Sequence, residues 1–305
     1  MNIDILMPVY NEEKYIKDAI LSVLSYDYDS NIFVHLIVVD DYSTDRTLDI
    51  INEIKCANSN CKLTVEKNRV KGKNNAINLA YAISSGDCVC LMGGDDILLP
   101  AVLSERASAL KLSRTDSDKL GQECAASFCK LRMFSDNPKY NNIIIPKAEG
   151  RGSPSGGAIM LTRSYADKIF PLPGNLPNED TWIWLHLKYI PCEIAHVGKV
   201  GLNYRIHEGN SHRRDDNFQQ YKNMIWVRSR AYLQFYNLCG SQLPPVAEKQ
   251  LLREIVVEIA KYLGWWHIVL LTRRIPFKDR IRIFTHSTRL GFWLRNIMFR
   301  HFSGR

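Results

Sequence analysis

Two pairs of adjacent aspartates, Asp40-Asp41 and Asp95-Asp96, each follow an apolar run, in "IFVHLIVVDD" and "CVCLMGGDD". One such pair is also ordinary turn or helix-cap chemistry, because aspartate bonds readily to nearby backbone N–H groups. Two pairs at the ends of neighbouring strands, with no matching Lys/Arg cluster beside them, call for a counter-ion. A divalent cation such as Mn²⁺ or Mg²⁺ suits carboxylate oxygens, and an ion held by one or two carboxylates keeps positions for water and phosphate. Gly93 and Gly94 clear side chains from that place and let a bulky ligand approach the backbone. Charge balance then points to a nucleoside diphosphate compound, with Arg69, Lys71 and Lys73 as positive groups to meet its phosphates.

The elements that carry these residues follow from hydropathy. "IDILMPV" (3–9), "IFVHLIVVD" (32–40), "KLTVE" (62–66) and "DCVCLM" (87–92) are apolar runs of strand length. Between them, 43–54 and 73–85 have helical spacing, as do Ile16, Ala19, Ile20, Val23 and Leu24, with Asn11 expected as the N-cap of that first helix. Strand and helix in alternation predict an α/β fold with a mostly parallel central sheet and flanking helices. Ligands of such sheets bind beyond the carboxyl ends of the strands, where Tyr10-Asn11-Glu12, Asp40-Asp41 and Asp95-Asp96 all fall. Further on, 101–112 and 177–190 predict helices, and 124–134 and 158–161 strands. Residues 149–157 and 201–216 read as loop and exposed polar segment, and helix dominates from 217.

Composition sets outer limits. The chain has 305 residues, 46% hydrophobic and 24% charged, which is globular and neither repetitive nor low in complexity. The start has no basic region of a secretory signal, and the most apolar stretch, 254–272, is interrupted by Glu254, Glu258, Lys261 and His267. Eight cysteines include no C-x-x-C pair, so reduced thiols of a cytoplasmic protein are expected; Cys88 and Cys90 share one strand face and belong to the core. Residues 273–305 hold nine Lys/Arg against the single acid Asp279, so this tail accounts for the whole net charge of +8.

"PVYNEEKYI", "VVDDYSTDRT", "GDCVCLMGGDDILLP", "NEDTWIWLHL" and "NYRIHEGNS" lie in the order and spacing of the family 2 glycosyltransferases, which this chain resembles from about residue 3 to 213. The resemblance implies the GT-A fold, a Rossmann-like α/β sheet, over residues 1–215, with 216–305 as a helical, basic-aromatic extension. It implies an inverting, metal-dependent transfer of sugar from a UDP-sugar to a glycan or lipid-linked saccharide. Carried over position by position, Pro8, Tyr10 and Glu12 would frame the nucleobase, with Tyr10 stacked on it and Asp41 touching it. Lys73, from the charge balance rather than the resemblance, is expected to join the donor-binding residues. Asp95 would hold Mn²⁺ or Mg²⁺ with Asp96 beside it, and His207 would meet the metal or the diphosphate. Asp180 would be the base. Two positions depart from the family pattern: Gly93 stands where the first Asp of Asp-x-Asp usually stands, and Tyr42 replaces a glycine.

Each assignment has a plainer alternative. Asp180 is also placed to cap a helix, Trp182 and Trp184 to pack in a core, and His207 to lie on the surface. "SPSGGAIM" (153–160) either approaches the sugar through its glycines or is a mobile loop. In the tail, Phe292, Trp293, Ile297, Met298 and Phe302 are read as one helical face flanked by Arg289, Arg295 and Arg300, which suits an anionic membrane surface at the inner face of the cell membrane. Packing on the protein itself or on a second copy are the other readings, and no nucleic-acid motif accompanies the tail. At the level of function, the alternatives to an enzyme are a nucleotide-sugar-binding protein without turnover and a membrane-surface module.

Overall fold

The computed structural model describes residues 1–57, 62–117, 124–207, 217–267 and 276–302. The chain divides into two compact units, Met1–His207 and Glu208–Arg305.

In the first unit the chain runs β1 (Asn2–Val9), α1 (Ile16–Leu24), β2 (Phe33–Asp40), α2 (Thr47–Ala57), β3 (Leu63–Lys67), α3 (Lys73–Ile83), β4 (Cys88–Leu91), β5 (Ile97–Leu98) and α4 (Ala101–Ser117). It continues with β6 (Cys124–Phe134), β7 (Ile143–Ile145), β8 (Ile159–Thr162), α5 (Arg163–Ile169), α6 (Glu179–Tyr189) and β9 (Glu193–Arg205). The strands form one sheet in the order β3-β2-β1-β4-β8-β6-β9-β5, with β7 on β6. The first four are parallel, while β8 joins both neighbours antiparallel and β6 pairs parallel with β9. The expected α/β architecture is therefore present, and its parallel half is the half that reads as continuous apolar runs. Strands covered on both faces need no polar alternation. Ile3, Ile5, Leu36, Val38, Cys88 and Cys90 all lie in the core.

Register sets the rim. Val9 is opposite Asp40 and Leu6 opposite Leu91, so the chain leaves three adjacent strands on the same side of the sheet. The opposite end is tied by Asp4, 3% exposed on β1, which receives the N–H groups of Ser85 and Gly86 and pairs with His35 and Arg163.

Three expectations about elements need correction. Asn11 does not cap a helix: α1 begins at Ile16, and Asn11 takes a left-handed φ of 55° with its Oδ1 accepting the Thr44 N–H at 2.8 Å. Asparagine tolerates that backbone region, so a residue that looks like a cap serves as a corner. Residues 201–205 are not an exposed segment but the end of β9, with Leu202 1% exposed. Gly198 and Gly201 break the alternation that marks a strand. Gly201 is needed there, since a Cβ would lie 2.6 Å from Cys129 Sγ on β6. Residues 208–216 lie outside the described residues.

The third correction concerns the second unit. It contains α7 (Phe218–Cys239), closed at its start by a capping box between Asn217 and Gln220, and α8 (Pro245–Leu263), ended by Gly264 at φ 79°. Two helices follow, Phe277–Ser287 and Arg289–Phe302. Phe292 packs on Phe218 and Tyr221, and Arg295 donates to the Tyr221 hydroxyl at 2.7 Å. Trp293 is 57% exposed, together with Leu290 and Leu294. Successive helical residues point about 100° apart, and here Phe292 is turned inward onto Phe218 and Tyr221 while Trp293 is turned outward. The outward face is Leu290, Trp293 and Leu294. The side chains of Met298, Arg300 and Phe302 lie outside the described residues.

Candidate active site

The end of the candidate site expected to receive a nucleobase is built on β1 and β2. Pro8 lies opposite Val39 near the end of β1, and Tyr10 follows with half its surface exposed. Asp41 continues the ladder by donating its N–H to Val9 O at 2.8 Å. Its buried carboxylate is the anchor of the loop before α3: Oδ1 accepts Asn68 Nδ2 at 2.7 Å and Gly72 N at 2.8 Å. Gly72 has φ 136°, a conformation open to glycine, which lets the N–H turn inward. Lys71 of that loop donates to Asp41 O at 2.6 Å and lies 3.2 Å from the centroid of the Tyr10 ring. A base stacking on that ring face must displace the lysine.

Tyr42 explains the family glycine it replaces. Its φ is 64°, a conformation that costs a side-chain-bearing residue roughly 1–2 kcal/mol. Its hydroxyl donates to Arg69 O at 3.0 Å, tying this corner to the same loop.

The acidic end is built on the Gly93–Asp96 turn after β4 and on the end of β9. Asp95 Oδ2 and His207 Nε2 lie 3.0 Å apart. Asp96, 4% exposed, accepts Arg205 N at 3.0 Å, and Arg205 Nε donates to Asp95 O at 2.8 Å. The Arg205 guanidinium lies between the Tyr15 and Phe134 rings, 4.4 Å from each. Burial, then the neighbouring Asp95 charge, push the Asp96 carboxyl well above the usual carboxylate range. Glu12, on the near side, is pushed up to about 8 by burial and by Asp95 and Asp45, against the opposing pull of Arg205. Several carboxyl groups thus crowd this corner, each disfavouring the charge of its neighbours.

Gly93 has a steric reason. A Cβ there would lie 2.5 Å from Asp95 Oδ1 and 3.2 Å from Asp96 Oδ2, because the Asp95 carboxylate folds back over residue 93. At Gly94 a Cβ would lie 2.8 Å from Val9 Cγ1 and 3.3 Å from Glu12 Cγ, so this second glycine lets the turn press onto β1.

The donor set fits a divalent cation. One carboxylate oxygen and one imidazole nitrogen converge, in the neighbourhood of further carboxylates, and both atom types suit Mn²⁺. Among the described residues no group of three or more His, Cys, Asp or Glu is arranged to hold an ion alone. An ion bound here would complete its shell with water and a diphosphate.

The third part is the start of α6. Glu179 is 9% exposed and accepts Lys73 Nζ at 2.7 Å. Burial works to lower the Lys73 pKa, and the Glu179 and Asp180 carboxylates outweigh it, so the ammonium is held. Asp180 accepts Thr181 N on Oδ1 at 2.6 Å, and Oδ2 has no hydrogen bond among the described residues. The N-cap of α6 is Asn178, so Asp180 lies inside the first turn. Trp182 is a core residue, donating Nε1 to Ile169 O at 3.3 Å, and Trp184 lies beside Phe128. Gly156–Ala158 forms a 3₁₀ turn, and a Cβ on Gly156 would lie 3.3 Å from Glu179 Oε1.

The residues singled out from sequence thus occupy three neighbouring patches at one rim: Pro8, Tyr10 and Asp41; Glu12, Asp95, Asp96 and His207; Lys73 and Asp180. Sequence reasoning gave no role to Arg205, to Asn68 or to Glu179 as partner of Lys73. Only the charge of Arg205, two residues before His207, hinted at the clamp.

Residues 4–120 match the family Glycosyl transferase family 2. A relative from Escherichia coli, the UDP-Glc:alpha-D-GlcNAc-diphosphoundecaprenol beta-1,3-glucosyltransferase WfaP, is 25% identical over 209 residues, 68% of this chain and 78% of its own. An uncharacterized glycosyltransferase of Haemophilus influenzae is 28% identical over 275 residues, 82% of this chain and 79% of its own. Among solved structures, Staphylococcus aureus TarS 1-349 in complex with UDP-GlcNAc aligns with TM-score 0.60 and 16% identity, covering 94% of this chain and 79% of that one. The mannosyltransferase PcManGT from Pyrobaculum calidifontis, in complex with GDP-Man and Mn²⁺, aligns with TM-score 0.57 and 14% identity, covering 99% of this chain and 88% of that one. At those identities the structural likeness establishes the fold, which is GT-A. Sequence match over residues 4–120, fold and ordered motifs agree in supporting a family 2 glycosyltransferase.

Proposed function

We propose that this glycosyltransferase transfers a sugar from a UDP-sugar, with inversion, to a lipid-linked or glycan saccharide in surface polysaccharide synthesis. The observation that carries the reading is the 3.0 Å approach of Asp95 Oδ2 and His207 Nε2, 112 residues apart, in a corner that also holds Glu12 and the buried Asp96. Such a corner is matched by a cation and a diphosphate. A bound Mn²⁺ or Mg²⁺, held by Asp95 and His207 with Asp96 behind them, supplies the positive charge that stabilises the departing diphosphate.

This chain's own residues do the rest. Pro8, Tyr10 and Asp41 receive the base, and Lys71, released from the Tyr10 face, and Lys73 are cations for phosphate oxygens. Asp180 Oδ2 takes the proton of the acceptor hydroxyl as its oxygen attacks the anomeric carbon. The bond from that carbon to the diphosphate oxygen breaks, and UDP leaves with the electron pair. A single displacement inverts the anomeric centre and needs one base only.

The lipid-linked acceptor draws on two observations. The E. coli relative acts, by its name, on a saccharide joined through diphosphate to undecaprenol. The last described helix turns Leu290, Trp293 and Leu294 outward, within a segment that carries the whole net charge of the protein. That combination suits adsorption to an anionic bilayer at the cytoplasmic face. No described helix is long and apolar enough to cross a membrane.

The test is UDP release from UDP-glucose and UDP-GlcNAc, with Mn²⁺, Mg²⁺ or chelator, in the presence of a synthetic GlcNAc-diphospholipid or a glycan panel. Metal-dependent release that requires acceptor is expected. Donor binding with no release under any of these conditions would overturn the reading.

A further inference from the structure

The Gly156–Ala158 turn has two faces. Toward the site, a Cβ on Gly156 would lie 3.3 Å from Glu179 Oε1 and 3.9 Å from Asp180 Cβ, while one on Gly157 would meet the Leu202 side chain at 2.6 Å, with Asp96 Oδ2 at 3.9 Å. The turn therefore lies directly against the base-bearing helix, with Leu202 packed on its next residue. Toward the core, the Ala158 carbonyl accepts Arg106 Nη2 at 3.1 Å and the Cys129 thiol at 3.6 Å.

Arg106, on α4, is an unusual residue for that place. It is 1% exposed and is the largest fully buried side chain among the described residues. Its Nε has no hydrogen-bond partner, and it forms no ion pair among the described residues. Its surroundings include the thiols of Cys90 and Cys129, with Arg106 acting to lower the Cys90 pKa against the larger raising effect of burial. A buried guanidinium without a carboxylate is costly, and an apolar side chain of similar length would fill the space at lower cost. What the guanidinium alone supplies is a strong donor to the Ala158 carbonyl. That bond fixes the turn from behind, where no other described side chain besides Cys129 reaches the same oxygen.

We propose that Arg106 is a positioning residue of the transfer reaction: it holds the Gly156–Ala158 turn against Glu179 and Asp180 as the wall that sets where the acceptor hydroxyl meets Asp180. The inference rests on Asp180 as base. Arg106 touches neither donor nor acceptor, so its loss acts on the transfer step. The base-binding rim on β1 and β2 has its own supports, Asn68, Lys71 and Gly72.

The experiment compares Arg106→Met and Arg106→Lys with the unaltered full chain. It reads the kcat of UDP release with whichever of UDP-glucose and UDP-GlcNAc turns over, the KM of that donor, UDP affinity by calorimetry, and the thermal melt. Arg106→Met is expected to lower kcat at least tenfold, with donor KM and UDP affinity within about twofold of the unaltered chain, and Arg106→Lys to recover most of the loss. Unchanged kcat in Arg106→Met, or losses of kcat and UDP affinity in equal measure, would overturn the assignment, as would a lysine variant no better than methionine. Should Arg106→Met fail to fold, Gly156→Ala takes its place, since its Cβ enters the wall at the Glu179 side and meets no core atom within 3.4 Å. The same loss of kcat alone is then expected, and an unchanged kcat overturns the proposal. Asp180→Asn, run alongside, separates the two ideas. Full turnover there removes the base reading itself. Loss there with none in Arg106→Met removes only the role of Arg106.

Discussion

Lys73 and Glu179, 106 residues apart in the chain, meet at 2.7 Å and join the loop behind the nucleotide rim to the first turn of the helix that carries Asp180. The carboxylate is nearly buried while the lysine is half-exposed, so the pair is asymmetric: removing the lysine strands a carboxylate beside Asp180, whereas the lysine alone returns to solvent. Lys73→Met is therefore expected to lower kcat/KM by about tenfold or more. Lys73→Arg should recover part of it. Steady-state kinetics on the two variants decide this, and equal rates for Lys73→Met and the unaltered chain would show that the pair has no part in turnover.

Asp180→Asn keeps the shape of the side chain and removes its basicity. Loss of a positioned general base is expected to lower kcat by about 10²–10⁴-fold. UDP affinity, which the proposed base rim of Pro8, Tyr10 and Asp41 would set, should stay within about twofold. A fall in UDP affinity as large as the fall in kcat would place Asp180 in donor binding instead.

Restoring the family's aspartate at residue 93 should harm this enzyme. A Cβ at that position meets Asp95 Oδ1 at 2.5 Å, so Gly93→Asp drives the Asp95 carboxylate from its position and adds charge to an overcharged corner. Weaker Mn²⁺ and UDP binding than in the unaltered chain is expected by calorimetry. Tighter binding would mean that Asp95 swings aside freely and that the glycine is a loss rather than an adaptation.

These three residues also mark how far the sequence could be read. Strands β1 to β4 and their helices are legible because both faces of a parallel sheet are covered and the apolar runs are unbroken. The order of the acidic strand ends follows from them. The second half of the sheet is less legible, since β9 holds Gly198 and Gly201 where the strand passes close to others, which reads as loop. Long-range polar pairs leave no periodic trace: nothing in "NYRIH" says that the Arg205 guanidinium slots between Tyr15 and Phe134 and bonds the Asp95 carbonyl while its backbone N–H bonds the Asp96 carboxylate, and nothing in "GKNN" names Glu179. The reason for Gly93 depends on the rotamer of Asp95. In the tail, composition reported the basic and apolar content correctly, but the phase of the last helix, with Phe292 inward and Trp293 outward, needed the packing on Phe218 and Tyr221.

At the opposite end of the sheet, Asp4 gives a stability prediction with a defined sign. Burial alone would raise its pKa, but hydrogen bonds from His35, Gly86 and Ser85 and the charge of His35 overcome this and depress it. A depressed folded-state pKa contributes stability that is present above the unfolded value of about 3.9 and is lost as pH falls through the folded one. Asp4→Asn should melt well below the unaltered chain at pH 7, by the equivalent of about 3–5 kcal/mol for a broken buried pair. The gap should close below about pH 4. Calorimetric melts from pH 7 down to acid check this, and a gap independent of pH would show that the carboxylate's charge is not what ties that end.

Adsorption to membranes should depend on the outward face of the last described helix. Replacing Leu290 and Trp293 together by serine is expected to weaken flotation with vesicles containing anionic phospholipid by about tenfold, from the apolar area withdrawn. UDP release in solution should not change, because neither residue belongs to the site. Equal flotation of both proteins would assign that face to another partner.

The most direct test of the central claim is the affinity for UDP, by isothermal titration calorimetry, with and without Mn²⁺, in the unaltered chain and in Asp95→Ala. Shared binding of one cation by Asp95, His207 and the diphosphate predicts that Mn²⁺ tightens UDP by at least about tenfold in the unaltered chain, about 1.4 kcal/mol, and has no such effect in Asp95→Ala. UDP affinity that is the same with Mn²⁺ and with chelator in the unaltered chain would contradict the account.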